Sequence, residues 1–345
     1  MNKNNFFLLS KEQQIMVLNQ ASPKIGLPAQ AIEKDIWVST ILQIVFTLPF
    51  AEKLIFKGGT SLSKVWNVIN RFSEDIDLAV DRSLFDLEGD LTKKKIKKLR
   101  KVSSLFVREQ FATELWKKIA GYGLDGLCTL EAEPDGEGDG TYPEPRKIFI
   151  RYKSALTGVV DYLQPVVMLE IGSRSLFEPN EKCHIQSMLE RQFPSIYTSL
   201  IDAEVATSIP GKTFLEKVFL IHEMFSVEGH GVRAERKSRH LYDLYRMMNM
   251  DFAVKAATDD PLWESIRHHR EIFTSVSGMD YTPDIRERMQ LVPRPDIIDA
   301  WKSDYEAMVE TMIYGDKPLF SELISAMTEL QERFRNASFE VCSPL

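Results

Sequence analysis

Two adjacent glycines and two nearby aspartates carry the clearest chemical signal in this sequence. Residues 57–80, KGGTSLSKVWNVINRFSEDIDLAV, contain Gly58 and Gly59 and then Asp75 and Asp77, which stand two positions apart. Glycine lets the backbone approach a bound group closely, and carboxylates are among the oxygen ligands that Mg²⁺ prefers in proteins. The pattern therefore predicts a turn that binds phosphate, followed by a strand that binds metal.

The residues after the two glycines add to the predicted phosphate site. Thr60 and Ser61 bring hydroxyl groups, and Lys64 a cation, to a predicted helix over residues 60–69. Unpaired backbone N–H groups at the start of a helix favour anions. The stretch matches neither the P-loop pattern nor the glycine pattern of dinucleotide-binding folds. Taken alone, the glycines leave a purely structural turn as the alternative.

Glu170 is the candidate for a third carboxylate at the same site. It lies in an apolar segment, residues 166–171, where burying an unpaired carboxylate would be unfavourable. Asp75 and Asp77 share one face of their predicted strand because side chains alternate between the two faces. The alternative is that the two aspartates are solvated turn residues and that Glu170 pairs with a lysine.

Two further candidates come from helical segments in the C-terminal half of the sequence. Lys217 lies within the apolar stripe of the helix predicted over residues 213–226, so its ammonium needs an anionic partner such as a triphosphate or an acidic cluster. The alternative is an apolar stem with the ammonium at the edge of the helix. Asp243 lies four residues after Arg239, and a surface pair between these two is the alternative to a functional role.

The run KKKIKKLRK, from Lys93 through Lys101, places seven cations in nine residues. The net charge of the chain is -7, so the overall charge gives no reason to expect binding to nucleic acid. A local basic surface would have to provide it. We predict that this run contacts the backbone of an RNA, with a solvated helix face as the alternative.

The elements that position these groups divide the sequence into two predicted domains. With 345 residues, 44% of them apolar and 27% charged, the chain is typical of globular proteins and long enough for two cores. Residues 1–210 combine N-terminal helices, a basic helical insert over 91–119 and an acidic loop over 131–145, and residues 211–345 are predicted to be helical. The predicted strands are 54–56, 76–80, 147–152 and 166–171. We therefore predict an α+β fold, in which a mixed sheet flanked by helices is followed by a helical C-terminal domain.

The sequence also argues against several other classes of protein. No window has the eighteen apolar residues of a membrane-spanning helix, and the first segment, MNKNNFFLLSKEQQ, turns polar too soon for a signal peptide. The six histidines show no HExxH spacing, and there is no GxSxG nucleophile motif. We expect a cytoplasmic protein without membrane association.

A Gly-Gly-Thr turn, a helix, an Asp-x-Asp strand and then a strand with a third acid follow one another in the sequence. This order of motifs resembles the nucleotidyltransferase superfamily, which has the DNA polymerase β-like fold. More narrowly, the chain resembles the AbiEii/AbiGii toxin family of bacterial abortive-infection and toxin–antitoxin systems. The resemblance extends over nearly the whole chain and is carried by seven pieces: AIEKDIWVSTIL (31–42), FKGGTSLSKVW (56–66), RFSEDIDLAV (71–80), MLEIGSR (168–174), TFLEKVFLIHEMF (213–225), RHLYDLYRM (239–247) and DYEAMVETMIYGDKPLFSELI (304–324).

The resemblance implies roles for individual residues. Gly59 and Thr60, with Ser61 beside them, match the position that grips the nucleoside triphosphate, and Asp75 and Asp77 match the metal-binding pair. Thr60 replaces the serine of the family pattern, but the hydroxyl group remains.

The C-terminal matches are less complete. Lys217 matches a lysine that the family uses to contact phosphate or to assist transfer, and Asp243 matches the second aspartate of an Arg-Asp-x-x-Asp motif. His240 stands where that motif has its first aspartate, so a role that needs both acids is not implied for this chain.

The activity implied by the resemblance is Mg²⁺-dependent nucleotidyl transfer. A hydroxyl of the acceptor attacks the α-phosphate of an NTP. The resemblance implies that this acceptor is the end of a tRNA. It also implies that the protein acts as a toxin and is encoded beside an antitoxin. Two alternatives stay open. One is a different transfer at the same site, either of NMP to a protein hydroxyl or of the γ-phosphate, and the other is a catalytically silent module that binds RNA or protein.

Overall fold

The computed structural model describes residues 4–157 and 163–336, which form two compact units. The sheet unit comprises the described residues of Met1–Val65 and Phe72–Ser208, and the helical unit comprises Trp66–Arg71 together with the described residues from Ile209 onwards. The division after Ser208 lies close to the predicted boundary at residues 210 and 211. The assignment of six residues after the glycine turn to the helical unit was not predicted.

Two helices open the sheet unit. Helix α1, Lys11–Ile25, begins at Ser10, whose hydroxyl accepts a hydrogen bond from the Gln13 amide while the Gln13 side chain accepts one from the Ser10 amide. This reciprocal pair satisfies donors that the first turn leaves free. Helix α2, Ala29–Val45, is buried from Ala31 to Val45. A helix that is apolar on most sides belongs in the interior.

A mixed seven-stranded sheet forms the centre of the sheet unit within the described residues. Its order is β3-β4-β5-β2-β1-β7-β6; β5 and β2 are parallel, as are β1 and β7, and the other neighbours are antiparallel. The strands are β1 (Leu54–Lys57), β2 (Ile76–Val80), β3 (Cys128–Ala132), β4 (Arg146–Tyr152), β5 (Val166–Gly172), β6 (Asn180–His184) and β7 (Glu204–Ser208). With its helices, this sheet confirms the predicted α+β class.

One face of the sheet packs on helices and forms the core. Ile76, Leu78 and Val80 of β2 join this core, in which Trp37 of α2 stacks on Tyr152 of β4 with ring centroids 4.9 Å apart. Each buried aliphatic side chain contributes about 1.5–3 kcal/mol to folding. Because side chains alternate along a strand, Asp77 lies on the opposite face, which leaves that face for chemistry.

The remaining helices of the sheet unit differ in part from the prediction. Helix α3, Gly58–Lys64, ends well before the predicted residue 69. Helices α4, Lys93–Phe106, and α5, Ala112–Gly121, take the place of the single predicted helix and are joined by a π-helical turn, Val107–Phe111. A short helix, α6, Met188–Gln192, was not predicted, and neither were β3, β6 and β7.

The acidic segment 131–145 is partly ordered and lies against α4 and the π turn. Its first two residues belong to β3, the carboxylate of Asp135 pairs with Arg108 and Arg146, and the ammonium of Lys101 lies 5.4 Å from the centre of the Tyr142 ring. The prediction of a loop therefore holds for its middle, where the chain turns between two antiparallel strands.

Helices make up most of the helical unit, as predicted for this part of the chain. They are α7 (Pro210–Ser226), α8 (Arg239–Met247), α9 (Asp251–Thr258), α10 (Asp260–Phe273), α11 (Ile298–Thr311) and α12 (Phe320–Arg335). Aromatic side chains fill its core; the rings of Phe225 and Trp301, for example, meet edge to face at 4.7 Å. No helix among the described residues combines the length and apolar character needed to cross a membrane.

Two histidines of the helical unit are buried in surroundings that disfavour protonation. Burial, with Arg288 and Arg335 nearby, lowers the pKa of His222 from 6.5 to about 4. The Gln290 amide donates to its Nδ1 at 3.0 Å, which requires that nitrogen to be unprotonated. Burial, followed by the charges of Lys217 and Arg239, holds the pKa of His240 well below its ordinary value. Both rings are therefore neutral at pH 7 in the folded protein.

We expect these histidines to make the protein less stable as the pH falls from 6.5 to about 4. In this interval the unfolded chain binds protons that the folded chain excludes, so the free energy of unfolding decreases with decreasing pH. For His222 the loss is roughly 3 kcal/mol, since one pKa unit corresponds to about 1.4 kcal/mol. Urea titrations at pH 7 and pH 4.5 would measure it. The variant His222→Asn, His240→Asn should lose less stability than the wild type between these pH values, and an unchanged loss would contradict the assignment.

Candidate active site

Charged side chains form a row across four adjacent strands on the face of the sheet opposite the core. Lys57 of β1 is the register partner of Asp77 in β2, Asp77 of Glu170 in β5, and Glu170 of Lys147 in β4. The row therefore reads cation, acid, acid, cation. Lys57 and Lys147 were not singled out from the sequence, where only the position of Lys57 directly before Gly58 could have drawn attention to it.

The glycine turn lies directly against one of the two aspartates. Gly58 has a φ of +79°, and a Cβ atom placed on it would lie 2.1 Å from Oδ2 and 3.0 Å from Cγ of Asp77. Glycine is thus required here both for its backbone conformation and for the space it leaves. The structure brings the first residue of α3 and the acidic strand together, as the sequence pattern predicts.

We expect Gly58→Ala to reduce catalytic turnover by about a hundredfold, because a displacement of roughly 1 Å in a positioned group can cost that much. The matched control is Gly89→Ala, since Gly89 has a φ of +67° but open space around the position of its Cβ. Both variants introduce the strain of a left-handed alanine, about 1–2 kcal/mol, and only the first displaces Asp77. Equal turnover in the two variants would show that the close approach has no catalytic consequence.

The hydroxyl groups of the turn are held by the turn itself and by the next segment. Ser61 Oγ donates to the carbonyl of Gly58 at 2.8 Å, and Thr60 Oγ1 and Ser73 Oγ are 2.8 Å apart. Both Thr60 and Ser61 are buried. The two hydroxyls therefore shape the turn, and Thr60 links it to Ser73, which stands two residues before Asp75 and was not identified from the sequence.

Lys64 occupies a different place from the one predicted for a nucleotide contact. It is buried, and its Nζ donates to Asp35 Oδ1 at 2.5 Å and to Ser39 Oγ at 2.7 Å. Burial lowers the pKa of Lys64, and the carboxylate of Asp35 opposes this. The ammonium is thus bound within the protein, and the residues that we propose to touch the nucleotide do not include Lys64.

The two aspartates at the start of β2 suit a metal that also binds phosphate. Asp75 directly precedes β2, Asp77 lies within it, and both side chains are half-buried. Over residues 4–157 and 163–336, no group of three or more His, Cys, Asp or Glu side chains is arranged to hold a metal by itself. Mg²⁺ commonly takes one or two carboxylates and completes its octahedron with water and substrate phosphates, and the aspartate pair fits that requirement.

Glu170 shows both of the environments that the sequence left open. It neighbours Asp77 in the sheet, as a third metal ligand would, and its Oε1 lies 3.3 Å from Lys147 Nζ, as in the lysine pair. Both side chains are about one-third exposed, so this ion pair is weak. Its role as a third carboxylate stays a prediction.

In the helical unit, a buried carboxylate binds two cations. Arg71 donates to Asp243 from Nε at 2.7 Å and from Nη2 at 2.8 Å, and Lys217 Nζ lies 3.0 Å from Asp243 Oδ2 and 3.1 Å from His240 Nδ1. Although burial alone would raise it, Arg71 and Lys217 hold the pKa of Asp243 well below its usual range. Burial lowers the pKa of Lys217, which Asp243 opposes.

This cluster corrects one interpretation of the sequence and supports another. Asp243 is fully buried and binds Arg71 and Lys217, so the alternative of a surface pair with Arg239 is wrong. Lys217 does point inward, as its place in the apolar stripe predicts, and its partner is Asp243. Arg71 was missed because it lies 172 residues from Asp243, and no local pattern reveals such a pair.

Comparison with known proteins places the chain in a family. The family model described as nucleotidyl transferase AbiEii toxin, type IV toxin–antitoxin system, matches residues 40–337. No curated protein sequence matches. Among solved structures, the chain is similar to MenT4, a nucleotidyltransferase toxin from Mycobacterium tuberculosis H37Rv, with a TM-score of 0.46 and 16% sequence identity over 96% of this chain and 94% of that chain. Since the family model covers most of the sequence, the chain belongs to the AbiEii nucleotidyltransferase toxins of type IV toxin–antitoxin systems.

Proposed function

We propose that the protein transfers a nucleoside monophosphate from an NTP to the acceptor end of a tRNA in a Mg²⁺-dependent reaction. Membership of the nucleotidyltransferase family supports the type of reaction. The observation that carries the assignment of the site is the approach of Gly58 to Asp77, because it puts a glycine turn suited to phosphate beside carboxylates suited to Mg²⁺.

The aspartates, the glycine turn and Lys57 would each have a defined part in the reaction. Asp75 and Asp77 would hold Mg²⁺, which when bound neutralises charge on the phosphates. The backbone of Gly58 and Gly59 would lie along the triphosphate, and Thr60 and Ser61 keep this turn in shape through their own hydrogen bonds. Lys57, next to Asp77 in the sheet, would add positive charge near the phosphates, where transfer depends on positioning and charge neutralisation.

Lys217 and Asp243 remain proposals that come from the family resemblance. The contacts of Lys217 with Asp243 and with His240 keep its ammonium fixed and paired. We propose that the lysine assists transfer and that Asp243 holds it.

For the acceptor, we propose that the exposed lysines of α4 contact the RNA backbone. Lys93, Lys94, Lys95, Lys97 and Lys98 are all exposed. Phosphate contacts of this kind release counterions, so binding weakens as salt increases. Since the family is that of type IV toxin–antitoxin systems, an antitoxin partner is implied as well.

We expect the double variant Lys94→Gln, Lys98→Gln to bind tRNA more weakly. The logarithm of its association constant should also fall less steeply with the logarithm of the salt concentration, the slope being smaller by about 1 for each of the two lysines that binds a phosphate in the wild type. Equilibrium binding of tRNA, measured at salt concentrations from about 50 to 200 mM, would give this slope, because affinity changes steeply over that range when lysines contact phosphates. The matched control is Lys255→Gln, Lys302→Gln, which removes two exposed lysines of the helical unit. A common slope for both variants and the wild type would rule out α4 as the surface that binds RNA.

The proposed function can be tested by incubating the protein with total bacterial tRNA, Mg²⁺ and each α-labelled NTP in turn, beside the variant Asp75→Ala, Asp77→Ala. We expect label on tRNA with the wild type only. Label on protein would instead indicate NMP transfer to a protein hydroxyl, and γ-labelled NTP would detect phosphate transfer. If neither label is transferred to any acceptor, a silent binding module becomes the better account.

A further inference from the structure

Three consecutive charged residues are buried in the first half of helix α2. Glu33, Lys34 and Asp35 are at most 4% exposed, although they belong to a helix whose neighbouring residues are mostly apolar. Burying charge is unfavourable unless each group is paired and hydrogen-bonded. Each of the three does have partners, and the partners lie in different segments of the sheet unit.

Lys34 holds the residue directly before the aspartate pair. Its Nζ lies 2.5 Å from Glu74 Oε2 and donates to the carbonyl of Gln164 at 3.0 Å. Both side chains of this ion pair are nearly inaccessible to water, where an ion pair is screened much less than at the surface. Since Glu74 and Asp75 share a peptide bond, the contact fixes the point at which the chain enters β2.

Asp35 holds helix α3, which begins at the glycine turn. Its Oδ1 accepts from Lys64 Nζ at 2.5 Å, and its Oδ2 accepts from the Met188 amide at 2.6 Å. Lys64 is the last residue of α3, the short helix that starts at Gly58. The contact with Asp35 therefore fixes the C-terminal end of the helix whose first residue approaches Asp77.

We propose that Lys34 and Asp35 are positioning residues of the nucleotide site, which set the distance between the glycine turn and the aspartate pair by holding α3 and the start of β2 on one helix. The inference rests on the proposed function for the identity of the ligand. Neither residue touches the nucleotide. Adjacent residues of a helix point in directions about 100° apart, so one rigid helix reaches both segments.

The variants Lys34→Met and Asp35→Asn test this proposal, and Glu33→Gln is the matched control. Glu33 is equally buried on the same helix, but it accepts from Ser154 Oγ at 2.6 Å and from the Ala155 amide at 2.7 Å, far along the chain from the site. All three variants should unfold at lower temperature. Only the first two should alter the site.

Hydrogen exchange of backbone amides gives a readout that does not depend on nucleotide. We expect Lys34→Met to speed exchange in residues 72–77 and Asp35→Asn in residues 58–64, each by about tenfold or more, while Glu33→Gln speeds exchange near residues 154–155 instead. A uniform increase across the sheet unit in all three variants would mean that the charges serve general stability only, and would overturn the proposal. Unchanged exchange in both site segments would overturn it as well.

Kinetics should separate the two contacts. Lys34→Met should mainly lower kcat and raise the Mg²⁺ concentration needed for half-maximal turnover, and Asp35→Asn should mainly raise KM for the NTP, each by about tenfold to a hundredfold. Equal kinetic constants in these variants and in Glu33→Gln would contradict a positioning role. If the wild type transfers no nucleotide, the proposed function fails, and hydrogen exchange still decides whether the two residues hold these segments.

A second variant covers the case in which Lys34→Met does not fold. Lys34→Met, Glu74→Gln removes both charges, which leaves no buried unpaired ion and is commonly tolerated. We expect it to fold, to exchange faster than the wild type over residues 72–77 and to keep a lowered kcat. Exchange and kcat equal to those of the wild type would show that the ion pair does not position the aspartates.

Discussion

Asp243→Asn is expected to destabilise the protein by about 3–5 kcal/mol, the usual effect of removing one partner of a buried ion pair. Arg71 and Lys217 would both lose their anion while remaining buried. Asparagine keeps the shape of the side chain, so the loss reports on charge. Urea denaturation near pH 7 would measure it, well above the pH at which the aspartate is protonated.

The control for this prediction is Asp304→Asn in the same unit. Asp304 accepts from the amides of Arg236 at 2.6 Å and Ser238 at 2.9 Å, so its loss should cost about 1–3 kcal/mol as a set of hydrogen bonds. Adding Lys217→Met to Asp243→Asn should restore part of the stability, because it removes a buried charge left without an anion. If the second change only adds a further loss, charge pairing is not what makes Asp243 important.

Asp77→Asn is expected to lower turnover by about three orders of magnitude while leaving the unfolding transition close to that of the wild type. Charge stabilisation by a bound metal is worth several kcal/mol in such reactions, and each 1.4 kcal/mol corresponds to a factor of ten in rate. Asp77 is half-buried, so losing its charge should affect folding little. Single-turnover rates at increasing Mg²⁺ would measure the effect, and a rate within about tenfold of the wild type would exclude Asp77 as a metal ligand.

Glu170 and Lys147 give this experiment an internal comparison. If Glu170 serves only the ion pair with Lys147 at 3.3 Å, then Glu170→Gln and Lys147→Met should have equal and small effects on turnover. If Glu170 is the third carboxylate, Glu170→Gln should approach the effect of Asp77→Asn and Lys147→Met should not. The pair of variants therefore separates the two environments found for this residue.

The parts of the site that could be predicted are those written in local sequence. Alternation of side chains puts Asp77 on the face opposite Ile76 and Leu78, and the helical period puts Lys217 on an inward face; both are found. Such patterns depend only on the geometry of one strand or one helix. The glycine turn could be located for the same reason, whereas its contact with Asp77 depends on how β1 pairs with β2.

Other features could not be predicted because long-range packing decided them. The apolar period predicts a helix to residue 69, yet α3 ends at Lys64, and Asn67 adopts a φ of +52°. Beyond that point the carbonyl of Asn70 accepts from the Tyr242 hydroxyl at 3.3 Å and the Tyr314 amide at 3.1 Å. The apolar residues of this stretch thus serve the helical unit, and local propensity yields to tertiary contacts.

The buried ion pairs were hidden for a related reason. Lys34 and Asp35 lie in a segment that reads as one continuous helix, and their partners Glu74 and Lys64 lie 40 and 29 positions away in the sequence. Charge patterning detects pairs three or four residues apart on one helix. Nothing in a single sequence distinguishes a lysine bound to a distant carboxylate from one in water.

The six residues Trp66–Arg71 also bear on how genes of this kind can recombine. A crossover between the codons for Ser208 and Ile209 would join the helices of one parent to the Arg71 of another, and Asp243 would then face an arginine that evolved in a different background. Such an exchange would keep the buried ion pair only where the other parent also carries an arginine at the position of Arg71, so the boundary seen in the sequence is not a neutral point of exchange.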